Sequence, residues 1–377
     1  MWGFVTVLND ILVPHLKALF SLNATMAMLV QLSFFGAYFV VGLPAGWWVA
    51  RIGYRRGIVV GLVVAATGAL GFALSSWLSS YAAFLGALFI LAAGITVLQV
   101  AANPYVTRLG PPRTAASRLN LTQGINSLGT TLAPAVGAWL IFDGSGAQSV
   151  RMPYLAIAGL LVVLAVVFSI VRLPVPQTQA TTTTTTTTTT SASVWRHRRL
   201  RLGAVAIFVY VGAEVGIGSM LVLFFGQTEV ASMGAAEAGY YVSYYWGAAM
   251  VGRFIGAAIQ RRHSPAKVLI VACALATILL GLTVGLMGET AVVTVLAVGL
   301  ANSIMFPTIF SLAVDGLGEK TSRGSGVLVM AIVGGAIIPV AMGALVDGFG
   351  YRVALGSATL AYAYIAWFAR YGTKDDS

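Results

Sequence analysis

The chain has 377 residues, of which 58% are hydrophobic and only 9% charged, and its mean hydropathy is +0.89. A soluble domain carries about 25% charged residues, so water is excluded as the principal solvent. The formal charge of +11 would suit a nucleic acid, but the basic residues form short clusters in every second loop rather than a stripe with stacking aromatics, which argues against that partner.

A spanning helix needs about 20 apolar residues. Apolar runs at roughly 1–20, 25–50, 57–77, 81–107, 118–142 and 153–173 meet that length. The pattern then breaks at Pro174, Pro176 and an uninterrupted threonine run from Thr181 to Thr190, followed by the basic stretch Trp195 to Arg201. Such a tract cannot bury enough apolar area to order itself and reads as a linker. Further runs follow at roughly 202–226, 236–259, 267–287, 290–314, 324–346 and 351–370. These elements predict an all-α membrane protein with twelve transmembrane helices in two six-helix halves, 1–176 and 201–377, joined by a Thr-rich cytoplasmic linker over 177–200. The 43 glycines suit it, because small residues let membrane helices approach closely. Nine residues precede Asp10. They climb about 13 Å of a roughly 30 Å core, so the first helix is expected to be truncated.

When the basic residues are sorted by loop, only Lys17, Arg151 and Arg352 fall on one side, and the other 19, Arg253 among them, fall on the opposite side or at helix ends facing it. The positive-inside rule then makes both termini cytoplasmic. Nothing at the start has the pattern of a secretory signal, so the spans themselves direct insertion. The single cysteine, Cys273, supports neither a disulfide framework nor a cysteine metal site, and no cofactor is expected.

Positions about 205 residues apart carry the same features. Gly46 followed by Arg55 and Arg56 recurs as Gly252 followed by Arg261 and Arg262, and Ser117, Arg118, Gly129 and Pro134 recur as Ser322, Arg323, Gly334 and Pro339. Asp10 in the first span corresponds to Glu214 in the seventh. A register held across several loops and helices implies two related halves packed about a central cavity.

Function turns on polar groups that a bilayer should exclude. Each mid-membrane carboxylate, Asp10 and Glu214, costs about 2.5–3.5 kcal/mol on insertion scales. Either they pair with buried partners, or they face the cavity, where a carboxylate can hold a sugar hydroxyl, a sodium ion or a proton. Amides add Gln31, Gln99, Asn103, Asn120, Gln123, Asn126 and Asn302. Asn120, Gln123 and Asn126 share an arc of about 120° on one helix. Uncharged groups that both donate and accept suit the hydroxyls of a neutral sugar, although bonds between helices would use the same residues. Tyr244 and Trp246, from an aromatic run in the eighth span, could stack on a sugar face. Prolines at Asn103-Pro104 and Phe306-Pro307 should bend the fourth and tenth spans.

Several stretches are more specific: Leu8-Asn9-Asp10-Ile11-Leu12, Gln99-Val100-Ala101-Ala102-Asn103-Pro104-Tyr105, Ser117-Arg118-Leu119-Asn120-Leu121-Thr122-Gln123, Val211-Gly212-Ala213-Glu214-Val215 and Phe306-Pro307-Thr308-Ile309-Phe310. With these the chain resembles the fucose/sugar permease family of the major facilitator superfamily, especially its glucose/galactose branch, over nearly its whole length. The resemblance implies cation-coupled uptake of a hexose such as glucose or galactose into the bacterial cell across the inner membrane by a monomer. Asp10 stands at the family's functional first-helix aspartate, and its neighbour Asn9 joins the substrate-binding set. Fucose-type members carry a titratable glutamate where Gln99 stands here. Glutamine there, with Glu214, is similar to the branch with sodium-coupled members, so sodium near Glu214 is expected, with a fucose-type proton/sugar symporter as the alternative. A truncated, non-transporting membrane protein or sensor is the second alternative. An intramembrane enzyme is not expected, since His15, His197 and Cys273 are scattered and no nucleophile and base pair is visible.

Overall fold

The computed structural model describes residues 2–6, 20, 24–78, 80–137, 151–174 and 194–373. Asn9, Asp10 and the threonine run lie outside them. The described residues form helices: α1 (residues 2–6), α2 (Ala24–Ile52), α3 (Tyr54–Leu78), α4 (Tyr81–Arg108), α5 (Ala115–Gly137), α6 (Arg151–Ile170), α7 (Arg198–Phe225), α8 (Ala235–Ile259), α9 (Pro265–Gly285), α10 (Glu289–Asn302), α11 (Met305–Val314), α12 (Thr321–Met330) and α13 (Gly334–Trp367). Eight helical stretches among the described residues are long and apolar enough to cross a membrane, and the last runs from Gly318 to Gly372 over 55 residues. Gly350, at φ 84°, breaks that stretch. A left-handed backbone is open to glycine without a Cβ penalty, so the chain turns there and runs back.

The helices owe their ends to local chemistry. Ser80 caps α4, its Oγ accepting from Ala83 N. At the other end of α4 the Arg118 guanidinium donates to the carbonyls of Val106 at 3.2 Å and Thr107 at 2.7 Å, satisfying the last turn and pinning the loop into α5. The span expected over 290–314 is two helices. Pro307 has no N–H to offer the Ser303 carbonyl, and the chain departs from helix between Asn302 and Met305.

Packing separates the helices into two groups. α2, α3, α4 and α6 lie together, with α5 joined to α4, and α7, α9, α10, α11 and α13 form the second group, with α8 against α10 and α12 against α7 and α11. Close approach depends on small residues: a Cβ on Gly68 would stand 2.2 Å from Leu91 N, and one on Gly94 2.2 Å from Ala65 N. Large apolar side chains remain exposed around the molecule, Ile170 at 73% and Leu360 at 74% among them. On a water-soluble protein this much exposed apolar surface would aggregate, whereas here it is the face a bilayer covers.

The two groups meet along two seams, α2 against α12 and α5 against α8. The first is backbone against backbone: a Cβ on Gly326 would lie 2.5 Å from the Gly42 carbonyl oxygen, and one on Gly46 3.0 Å from that of Ser322. The second is polar, with Ser117 Oγ donating to the Ala257 carbonyl at 2.6 Å. Both seams lie toward the end that carries Arg51 to Arg56, Arg113, Arg118, Arg261, Arg262 and Lys320 to Arg323. The repeat seen in the sequence recurs here, since Gly46 and Ser322 serve one seam while Ser117, the repeat mate of Ser322, serves the other.

Candidate functional site

Arg253 lies between the two helix groups. The expectation that placed it among basic residues at the helix ends is corrected: it sits seven residues before Gln260, the C-cap of α8, or about 10 Å inside the helix. Its Nε donates at 3.1 Å to the Ser303 carbonyl, the group that Pro307 leaves without a helical donor. Its Nη1 reaches the other group and donates to Ser127 Oγ on α5, with the Gln123 carbonyl at the edge of reach, 3.5 Å. One guanidinium thus repairs a proline break and ties the two groups together, a task its planar fork suits.

Glu214 faces this arginine. It lies on α7 one turn after Tyr210, and the groups acting on its carboxylate are the Arg253 charge and the Tyr210 hydroxyl. Its Oε1 is buried with no hydrogen-bond partner among the described residues. Tyr210 donates its single hydroxyl proton to the Asn302 carbonyl at 2.9 Å, beside the same proline break. The Asn302 side chain donates to Tyr245 Oη at 3.0 Å, while among the described residues its Oδ1 is unpartnered, as is Tyr362 Oη. Trp246 packs edge-on against Tyr245, with ring centroids 5.3 Å apart, and lies over Gly218, one turn beyond Glu214. Tyr244 is 63% exposed and edge-on to Tyr241. At 100° per residue, Tyr245 faces inward when Tyr244 does not.

The first group contributes amides. Gln99 donates to Tyr38 Oη at 3.0 Å, and Gln123 to Asn103 Oδ1 at 3.3 Å. Asn103 Nδ2 is buried without a partner among the described residues. Asn126 is half-buried and accepts from Gly3 N at 2.9 Å, and Gln31 is half-buried on α2. Asn120 stands apart, fully buried in the polar seam against Gln260 and Thr308. The structure therefore gathers Gln99, Asn103 and Gln123 on one side, and Glu214, Trp246 and Asn302 on the other, with Arg253 between them.

Sequence reasoning did not select Tyr38, Tyr210, Tyr245, Arg253 or Gln260 for the site. A signal for Arg253 was present, because a charge seven residues inside an apolar span needs a partner. The tyrosines gave none, since an aromatic in an apolar run reads as packing.

No group of three or more His, Cys, Asp or Glu side chains suited to a metal occurs among the described residues. The arrangement can bind a polyhydroxylated neutral molecule through amides that donate and accept. Glu214 can in addition take a proton or hold a small cation. An unpaired buried donor (Asn103 Nδ2) and unpaired buried acceptors (Glu214 Oε1 and Asn302 Oδ1) each cost about 1–3 kcal/mol, which a ligand or a proton can relieve.

Residues 2–333 match the model of the Major Facilitator Superfamily. The chain is 53% identical to the glucose/galactose transporter of Brucella abortus biovar 1 (strain 9-941), over 99% of this chain and 92% of that protein. It is 32% identical to the L-fucose-proton symporter of Escherichia coli K12, over 89% of this chain and 82% of that one. Among solved structures it superimposes with a TM-score of 0.87 on a transporter of the same superfamily, FucP, captured in the outward conformation. The two are 32% identical, and the match covers 99% of this chain and 96% of that one.

Proposed function

Since this chain belongs to the Major Facilitator Superfamily, we propose that it is a secondary transporter that imports a hexose of the glucose or galactose type by alternating access, coupled to a cation. Its relatives named above are a sugar transporter and a sugar-proton symporter. The observation that carries the sugar assignment is the 53% identity, over 99% of the chain, with a glucose/galactose transporter. Residues 1–176 and 201–377 act as the two moving halves, joined by the linker over 177–200. The basic end faces the cytoplasm of a bacterial cell, with the chain in the inner membrane and both termini inside. Seams closed at that end correspond to an outward state.

The sugar site takes Gln99, Asn103, Gln123 and Asn126 from one half and Trp246 and Asn302 from the other, with Asn9, Asp10 and Gln31 completing it. Glu214 is the coupling group. Sodium was the cation favoured by glutamine at position 99, but one observation supports a proton. The Escherichia coli relative is named as a proton symporter.

Equilibrium exchange tests the substrate. Proteoliposomes loaded with unlabelled galactose should draw in labelled glucose without any ion gradient, and labelled fucose more slowly. Exchange of fucose alone would move the substrate to the other branch of relatives.

A further inference from the structure

Asn120 bonds across the seam between the helix groups. Its Nδ2 donates at 2.8 Å to Gln260 Oε1, 140 residues away, and to the Ala116 carbonyl of its own helix at 3.0 Å. Gln260 Nε2 donates at 2.8 Å to Thr308 Oγ1, and the Thr308 hydroxyl donates at 2.6 Å to the Ile304 carbonyl. The direction of this chain of bonds follows from its last member. The Thr308 hydrogen is spent on a carbonyl, so its oxygen must accept from Gln260. The Gln260 oxygen must then accept from Asn120. Flipping either amide would set oxygen against oxygen or nitrogen against nitrogen.

All three side chains are sealed from solvent, at 0%, 1% and 0% exposure for Asn120, Gln260 and Thr308. Ser117 adds a parallel bond to Ala257 one turn away. The opposite seam is closed by backbone contact at Gly42, Gly46 and Gly326, a surface on which helices can roll without losing a side-chain bond. Opening the molecule at the basic end therefore separates specific polar bonds on the α5 and α8 side. Among the described residues the buried Asn120 Oδ1 has no hydrogen-bond partner, a deficit carried only while the seam is shut, because water reaches it once the helices part. The closed seam is thus held by directional bonds but carries a flaw that favours release.

We propose that Asn120, Gln260 and Thr308 form a neutral lock that holds the basic end closed between transport steps. On the transporter reading given above, Gln260 is then a positioning residue of the transport cycle, and Asn120 serves the gate rather than the sugar.

The test is a spin-label distance measurement between Arg56→Cys on α3 and Lys267→Cys on α9. Both positions are exposed, they lie in opposite groups, and the background is Cys273→Ala. In the parent the short distance should dominate. Gln260→Leu and Asn120→Leu should each raise the long-distance population about tenfold, the effect of one buried hydrogen-bonded link. The double variant should go no further than either single one. Thr308→Val should open the seam while Thr308→Ser leaves it closed, and this near-isosteric pair decides the matter should either leucine variant fail to fold. Unchanged distances in Gln260→Leu and Thr308→Val would overturn the lock. So would a double variant that opens by the product of the two single effects, or an Asn120→Leu protein that loses sugar binding with its distances unmoved. The distances are read without sugar or gradient, so a failure to transport any hexose would remove the transporter reading while leaving the lock decided by its own data.

Discussion

Replacing Arg253 with methionine separates two roles that one side chain performs. The Nε bond to the Ser303 carbonyl lies within one helix group, so parting of the two groups need not break it. Losing it leaves a buried carbonyl unpaired, at about 1–3 kcal/mol, and lowers stability without moving the conformational equilibrium. The Nη1 bond to Ser127 joins the two groups and exists only while the α5 and α8 seam is shut. A hydrogen bond to a charged group contributes about 1.5–3 kcal/mol. The contact to the Gln123 carbonyl, at 3.5 Å, is too long to add much. Arg253→Met should therefore move the equilibrium toward the form open at the basic end by about 10-fold to 150-fold, at 1.4 kcal/mol per factor of ten. Arg253→Lys keeps the charge but not the fork, and should fall between the two. The measurements are the thermal midpoint in detergent and the distance distribution across the basic end. A variant that melts earlier with its distances unchanged would show that Arg253 is only a strut for the proline break, and would refute a role in closing the seam.

Three further outcomes are expected. Glu214→Gln should support hexose exchange but not accumulation, so that a tenfold cation gradient that drives up to about tenfold accumulation in the parent, the same 1.4 kcal/mol, drives none in the variant; retained accumulation would remove Glu214 from coupling. Gly326→Val should wedge the dry seam, since its Cβ meets the Gly42 carbonyl oxygen at 2.5 Å, and should cost about 1–3 kcal/mol of the closed form, read as a lengthened distance across the basic end. Cys273 is 1% exposed, so a maleimide should leave it unlabelled over hours in the folded protein and label it at once on denaturation. Rapid labelling of the folded protein would contradict the packing of α9.

How far the sequence could be read depended on whether a feature was local. Hydropathy placed the third span at 57–77 and the fourth at 81–107, against Tyr54–Leu78 and Tyr81–Arg108 in the structure, because twenty apolar residues in lipid have few alternatives to a helix. The break between α10 and α11 was legible as Pro307, although its consequence was not: the freed carbonyl is repaired by Arg253, fifty residues earlier in the chain. The spacing of Asn120, Gln123 and Asn126 reads as one stripe of a helix. Yet three residues of helix climb about 4.5 Å, so the stripe runs from the seam to the interior, and its members meet Gln260, Asn103 and Gly3 in turn. Spacing reveals a face and says nothing of what lies opposite. Partners more than a hundred residues away, such as Gln260 for Asn120 and Ser127 for Arg253, are products of packing between the two groups and leave no periodic signal.

The central claim is that this chain couples a cation gradient to hexose import. Uptake of labelled glucose and galactose into proteoliposomes tests it most directly, under an inward proton gradient, an inward sodium gradient, or neither. Accumulation above the external concentration with the proton gradient, abolished in Glu214→Gln, is the predicted result. Accumulation with sodium alone would keep the transporter and replace the cation, whereas equilibration without accumulation under every gradient would contradict the claim.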